Sequence, residues 1–294
     1  LPWTRHKEPY TPWQRKCRPP GLTPCCTKTT CPTPSEVGLF PSRKSSLGHQ
    51  LTTSILDAHA SCALYTLKTK SNAPFILRSI DSYVNTLLTS DPDRFPPLQS
   101  RLAHTQSLIL YHIIRLLDGD IRARASAERQ LPTLEDSAFA LLAYVNFDEV
   151  IPNTFTKDKD TLPLYPIGPA KAAWREWILH ESARRTFLFA LYFIQAYRII
   201  AGSEPPHCDG RLTLCRLLTV SASLWEAKDA VSFARAWNQR RFYVIRDCTF
   251  DGILREGRAE DVDAFGRMLM SSAMGIEEAE GWFASRGLNL RGGR

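Results

Sequence analysis

The chain has 294 residues, 44% hydrophobic and 23% charged, an ordinary globular composition that suits one large domain or two small ones. No run approaches the roughly 18 uncharged apolar residues of a membrane span, and no apolar secretory leader is read near the start. The formal charge of +7 is unevenly placed: residues 1–50 hold eight Lys/Arg against two acids, so the remainder is only about +1, which argues against a basic nucleic-acid-binding face on the body.

Residues 1–50 also carry nine of the twenty prolines and show no hydrophobic period, so they read as a disordered basic Pro-rich tail or linker. Such a tail could also bind nucleic acid or carry a nuclear signal; a solvated linker is the simpler reading. The first residue is Leu, which suggests a fragment, a processed product or a shortened gene model. Four of the eight cysteines (Cys17, Cys25, Cys26, Cys31) lie here, spaced C-x7-C-C-x4-C. A zinc site usually brings C-x2-C pairs, because two thiolates on one tight turn reach one ion; no such pair occurs. The other four (Cys62, Cys208, Cys215, Cys248) read as small hydrophobes or idle thiols.

After residue 50 the pattern becomes helical. In 72–90, Phe75, Ile80, Val84, Leu87 and Leu88 fall near one face, with Asn72 as N-cap and Pro74 in the first turn. DPDRFPP (91–97) breaks that helix. The next, 98–117, carries a stripe of Leu98, Leu102, Leu108, Ile109, Ile113, Leu116 and Leu117, ending near Asp118-Gly119-Asp120. Helix formers follow in 121–130; Pro132 is expected to interrupt, and Thr133 with Asp136 to open another helix as a capping box. Residues 151–169, with four prolines, read as a loop. A helix of about thirty residues is predicted from about Ala170 to Ala201, with Gly202 at its C′ position. Beyond an irregular 203–222, Ser223 is a candidate cap for a short LWEA turn, and 229–243, 259–272 and 275–286 are further helices. No strand pair and no repeat stand out. The class is all-α, a multi-helix body over 51–294 preceded by the tail.

Within the long helix, WREWILHESARRTFLF (174–189) sets Glu181, Arg184 and Arg185 in an otherwise apolar run. Charges there are costly unless paired. The E-x-x-R and the upstream P-x-R-F of DPDRF are reminiscent of a cytochrome P450, but their order is reversed and no cysteine sits in a Gly-rich haem-ligating loop. Phosphate-binding, dinucleotide, nucleophile-elbow and H-E-x-x-H motifs are all missing. His104 and His112 lie eight apart, too far to share a metal, and read as surface or satisfied core residues. His207-Cys208-Asp209 cannot hold triad geometry as loop neighbours, and the terminal LRGGR is too short to carry weight. The structural alternative fits better: on one helix Glu181 is i,i+3 and i,i+4 from Arg184 and Arg185, and the aromatics pack around the pairs. No catalytic, cofactor-binding or metal-ligating residues are therefore assigned, and no enzyme activity is expected.

The segment W-x2-W-x3-E-S-x-R-R-T (Trp174, Trp177, Glu181, Ser182, Arg184, Arg185, Thr186) resembles the central signature of the regulatory, or middle homology, domain of fungal zinc-cluster transcription factors. RFPPL (94–98), AHTQSLILYHIIRLLDGD (103–120) and LWEAKDAVSF (224–233) resemble further segments of that domain in the same order, so the likeness runs over about 75–285. It implies a helical transcription-regulatory domain in the nucleus, its motif positions being Trp174, Trp177, Glu181, Arg184, Arg185, Leu224, Trp225 and Glu226. Implied partners are transcription machinery or co-regulator proteins, a small-molecule effector and a second copy of the chain. The departure is that the family's C-x2-C-x6-C zinc module is missing. Zinc then belongs only to a module upstream of Leu1, and direct DNA contact falls to that module or is lost. The runner-up is a helical co-regulator or accessory protein of a metabolic gene cluster that does not bind DNA; an unrecognised α-helical enzyme is the remaining alternative.

Overall fold

The computed structural model describes residues 53–89, 97–145, 147, 161–202, 214–240 and 242–290. The expected tail, its four cysteines, most of the F-P-P segment, His207-Cys208-Asp209 and most of LRGGR lie outside the described residues. Helices dominate the rest, and the all-α class holds. The first five are α1 (Thr53–Thr66), α2 (Ala73–Thr89), α3 (Leu98–Leu117), α4 (Ile121–Leu142) and α5 (Gly168–Ile200). A short strand β1 (Leu217–Val220) precedes α6 (Ala222–Trp225) and α7 (Ala230–Asn238). Then come β2 (Tyr243–Arg246), α8 (Asp251–Glu256), a 3-10 turn (Ala259–Asp261), α9 (Ala264–Met274) and α10 (Ile276–Ala284).

α3 is almost wholly enclosed, packed by α1, α2, α4 and α5. The α3–α4 joint follows from its turn chemistry. Gly119 adopts φ +96°, open to glycine without a Cβ penalty, and the Asp120 carboxylate accepts from the Ala123 amide at 2.8 Å to cap α4. α5 runs 33 residues, ends before Gly202 (φ +71°), threads two large apolar cores and lends Ala183 to a third, smaller cluster with Leu102, Leu141 and Val145. Its first half (Trp174, Trp177, Ile178) packs with Leu224, Trp225 and Phe233. Its second half (Phe187, Leu188, Leu191, Ile194) joins a larger core from α1–α4, the two strands and α8–α10.

Several expectations are corrected. Pro132 does not interrupt: α4 is continuous from 121 to 142, and Thr133 lies inside it rather than capping a new helix. Pro132 lies on the exposed side of the helix, while Leu131 and Leu134 stay buried. Phe75 (66% exposed) and Leu117 face outward; Ile76, Leu77, Ile80, Val84 and Leu87 form the buried side of α2. Ser221, not Ser223, caps the LWEA turn, its hydroxyl accepting from the Leu224 amide at 3.2 Å. The helix expected over 229–243 stops at Asn238, with Arg240 at φ +54°. The chain then enters β2, which pairs antiparallel with β1 in the register Leu217↔Arg246 to Val220↔Tyr243. That pair escapes a period-two reading because each strand has four residues and β1 is buried at all four. The expected helix from 259 begins as the 3-10 turn, and α8 has no counterpart among the sequence expectations. Among the described residues, no helix is long and apolar enough to cross a membrane.

Candidate functional site

The functional candidate is the charged centre of α5, which lies where the two apolar cores meet. The i,i+3 and i,i+4 geometry is realised. The Glu181 carboxylate accepts from Arg184 Nη1 on Oε2 at 3.1 Å and from Arg185 Nε on Oε1 at 3.4 Å. The Thr219 amide of β1 donates to Oε1 as well, at 3.0 Å. All three charged side chains are fully buried.

Arg185 reaches further than its own helix. Its Nη2 donates to Asp263 Oδ2 at 2.6 Å and to the Thr219 carbonyl at 3.1 Å. The plane of the guanidinium is supported by aromatic rings, with Trp225 at 3.8 Å and Phe265 at 5.2 Å from its central carbon to the ring centre. Asp263 does two tasks: its other oxygen accepts from the Gly266 amide at 2.7 Å and caps α9. Gly266 needs its missing side chain, since a Cβ there would meet Val220 Cγ1 at 2.8 Å and Val262 Cγ1 at 2.9 Å. One arginine thus ties α5 to β1, to the LWEA turn and to α9. The next residue, Thr186, receives a hydrogen bond from Gln106 of α3 at 3.2 Å.

The other motif positions divide. Trp177 meets Trp225 edge-on at 6.2 Å and Phe233 at 5.3 Å, and Trp174 stacks on Phe233 at 6.4 Å. Leu224 fills the same core. Glu226 does not share that burial: it is exposed on the turn. Its carboxyl is pushed above the usual range, first by desolvation and then by the Asp263 charge, with Arg267 opposing. Thr219, Asp263, Phe265 and Gly266 escape sequence reasoning. The one available signal is Asp263 as an N-cap ahead of an apolar run.

The chemistry of the cluster is that of a closed network. Glu181 accepts from three donors, Arg184 donates Nη1 to it, and Arg185 donates to Glu181, Asp263 and the Thr219 carbonyl, while the buried Arg184 Nε and Thr219 Oγ1 atoms make no hydrogen bond among the described residues. A surface depression of about 430 Å³ lies against α6 and α7, bordered by Ser223, Asp229, Ser232, Arg235 and Gln239, and includes none of the cluster. Among the described residues, no group of three or more His, Cys, Asp or Glu is placed to hold a metal ion. His112 is buried, its Nδ1 2.8 Å from the Leu108 carbonyl, and burial lowers its pKa to about 4. His104 Nδ1 lies 3.2 Å from Ser137 Oγ. Burial raises the Cys215 thiol well above its ordinary value, with the Glu181 charge adding to the shift.

The chain is similar to a transcription factor, gsfR2, of Penicillium aethiopicum: 27% identical over 226 residues, which cover 77% of this chain. The chain spans about half of that protein, 52% of its length. No family model matches the chain. No solved structure matches it.

Proposed function

We propose that this chain is the helical regulatory body of a fungal transcription factor, acting in the nucleus. The observation that carries the reading is the 226-residue similarity to a fungal transcription factor. The buried Glu181–Arg185–Asp263 network supports it, because the motif that resembles the middle homology region serves here to lock helices together rather than to meet a substrate. The body acts through contacts with transcription machinery or co-regulator proteins, or through a small-molecule effector. Its reading is non-enzymatic. DNA binding is either lost or falls to a module upstream of this chain, since the near-neutral charge of residues 51–294 supplies no electrostatic footprint for phosphates.

The test is the transcript profile of the encoding organism after deletion of the gene. The reading expects a defined set of genes to change together and to recover on complementation. An unchanged profile, with loss of one metabolic conversion in cell extracts, would overturn it in favour of an enzyme.

A further inference from the structure

β2 ends in a tight turn, Arg246-Asp247-Cys248-Thr249, closed by the Thr249 amide donating to the Arg246 carbonyl at 2.9 Å. Its two central residues, Asp247 (φ +48°) and Cys248 (φ +58°), are both left-handed. That form favours Asn-Gly, and neither residue here is glycine, so the turn holds strained backbone. The buried Ile245 and Phe250 bound it on either side, which leaves the tip free to open without disturbing the core.

The side chains across this turn make a matched pair. Arg246 and Thr249 face each other in an antiparallel bridge, so both side chains lie on one side, with Cβ atoms about 4.5–5.5 Å apart. Both residues are exposed. Among the described residues, the Thr249 hydroxyl and the Arg246 guanidinium have no hydrogen-bonding or ionic partner. A second exposed cation, Arg216, sits across from Asp247, whose amide donates to the Arg216 carbonyl at 3.0 Å. Asp247 and Asp251 are the acids nearest in the chain. A hydroxyl beside an unengaged guanidinium can receive a phosphoryl group and then hold it, since phosphate oxygens take strong charge-assisted bonds from arginine.

We propose that Thr249 is a phosphorylation site, with ATP as the donor and an arginine-directed serine/threonine kinase as the partner. Arg246, three residues before the acceptor, is the cation that the acidic groove of such a kinase takes. Opening the strained tip presents 246–249 in the extended form that a kinase cleft binds. Thr249 Oγ1 attacks the γ-phosphorus of ATP, the bond from that phosphorus to the β,γ-bridging oxygen breaks, ADP leaves, and the hydroxyl proton passes to the catalytic aspartate of the kinase. When the turn recloses, the phosphate, with a charge of about −1.5 to −2 at neutral pH, meets Arg246 across the bridge. It then clamps the end of β2, the strand paired to β1 and its Thr219. The proposal does not depend on the transcriptional reading.

The folded full chain is incubated with magnesium ATP and the constitutively active catalytic domain of calmodulin-dependent protein kinase II, which reads arginine three residues before its acceptor, and phosphate is located by peptide mass mapping. Thr249 is expected to be labelled, and Arg246→Ala to slow that labelling at least about tenfold while labelling elsewhere in the chain stays at the wild-type rate. A second arm places phosphothreonine at 249 during synthesis and titrates it by phosphorus NMR. Its second ionisation is expected about half a unit or more below the roughly 6 of an unpaired phosphate monoester, and Arg246→Ala is expected to return it there. An unlabelled Thr249, labelling equally fast without Arg246, or a phosphate that titrates alike with and without the arginine each overturns the proposal. Circular dichroism checks the fold of each variant, and should Arg246→Ala disturb it, Arg246→Gln is read in its place.

Discussion

Replacing Glu181 by alanine removes the acceptor for three donors at once: Arg184 Nη1, Arg185 Nε and the Thr219 amide. Arg185 keeps Asp263, but Arg184 loses its carboxylate partner at a site closed to solvent. Breaking a buried pair from one side costs about 3–5 kcal/mol, because the remaining charge has no water to turn to. With a urea m-value of ~3 kcal/mol/M, the unfolding midpoint falls by about 1–1.7 M. Glu181→Gln keeps the shape and one acceptor oxygen for the Thr219 amide, so it loses less than alanine while remaining well below wild type. Equilibrium urea unfolding followed by circular dichroism reads both. A Glu181→Ala midpoint within about 0.2 M of wild type would refute the argument that this carboxylate anchors the body.

Further outcomes follow from the same geometry. Asp263→Ala removes the Arg185 partner and the α9 cap together, and its destabilisation by urea titration is expected to match or exceed that of Glu181→Ala. Gly266→Ala, whose Cβ would sit 2.8 Å from Val220 Cγ1, is expected to cost about 1–3 kcal/mol, and pairing it with Val220→Ala to cost less than the separate losses added together. Pro132→Ala is expected to raise the thermal midpoint, since it returns a helical hydrogen bond at an exposed position and removes up to about 3 kcal/mol of helix penalty. His112 is held neutral by burial, with a folded pKa of about 4 against 6.5 unfolded. Its contribution is complete above pH 6.5 and is lost as pH falls toward 4, roughly 3 kcal/mol in all. A His112→Gln variant is therefore expected to show a flatter fall in stability between those pH values than wild type, measured by urea midpoint against pH.

The long helix and its charged centre were legible because their signals are local. An apolar run with Glu181 three and four residues before two arginines specifies a helix and its pairing together. Thr219 and Asp263 were not legible, since they reach Arg185 from 34 and 78 residues away and carry no periodicity of their own. Pro132 misled because the rule against helical proline is a local cost, and burial of Leu131 and Leu134 outweighs it. The β1–β2 pair was hidden for a different reason: alternation appears only where one face meets water, and β1 has no such face. Glu226 shares a segment with Leu224 and Trp225 yet faces outward, a distinction that neighbouring letters in a motif do not carry.

The central claim is that this helical body regulates transcription and that its buried network is what keeps it competent. The most direct measurement fuses the full chain to an unrelated sequence-specific DNA-binding domain and reads a reporter carrying that domain's site, in fungal cells. The account predicts that the fusion changes reporter output several-fold relative to the DNA-binding domain alone, and that Glu181→Ala abolishes the change through loss of folded protein. Reporter output identical to the DNA-binding domain alone, from a fusion shown to be folded, nuclear and bound at the site, would contradict it.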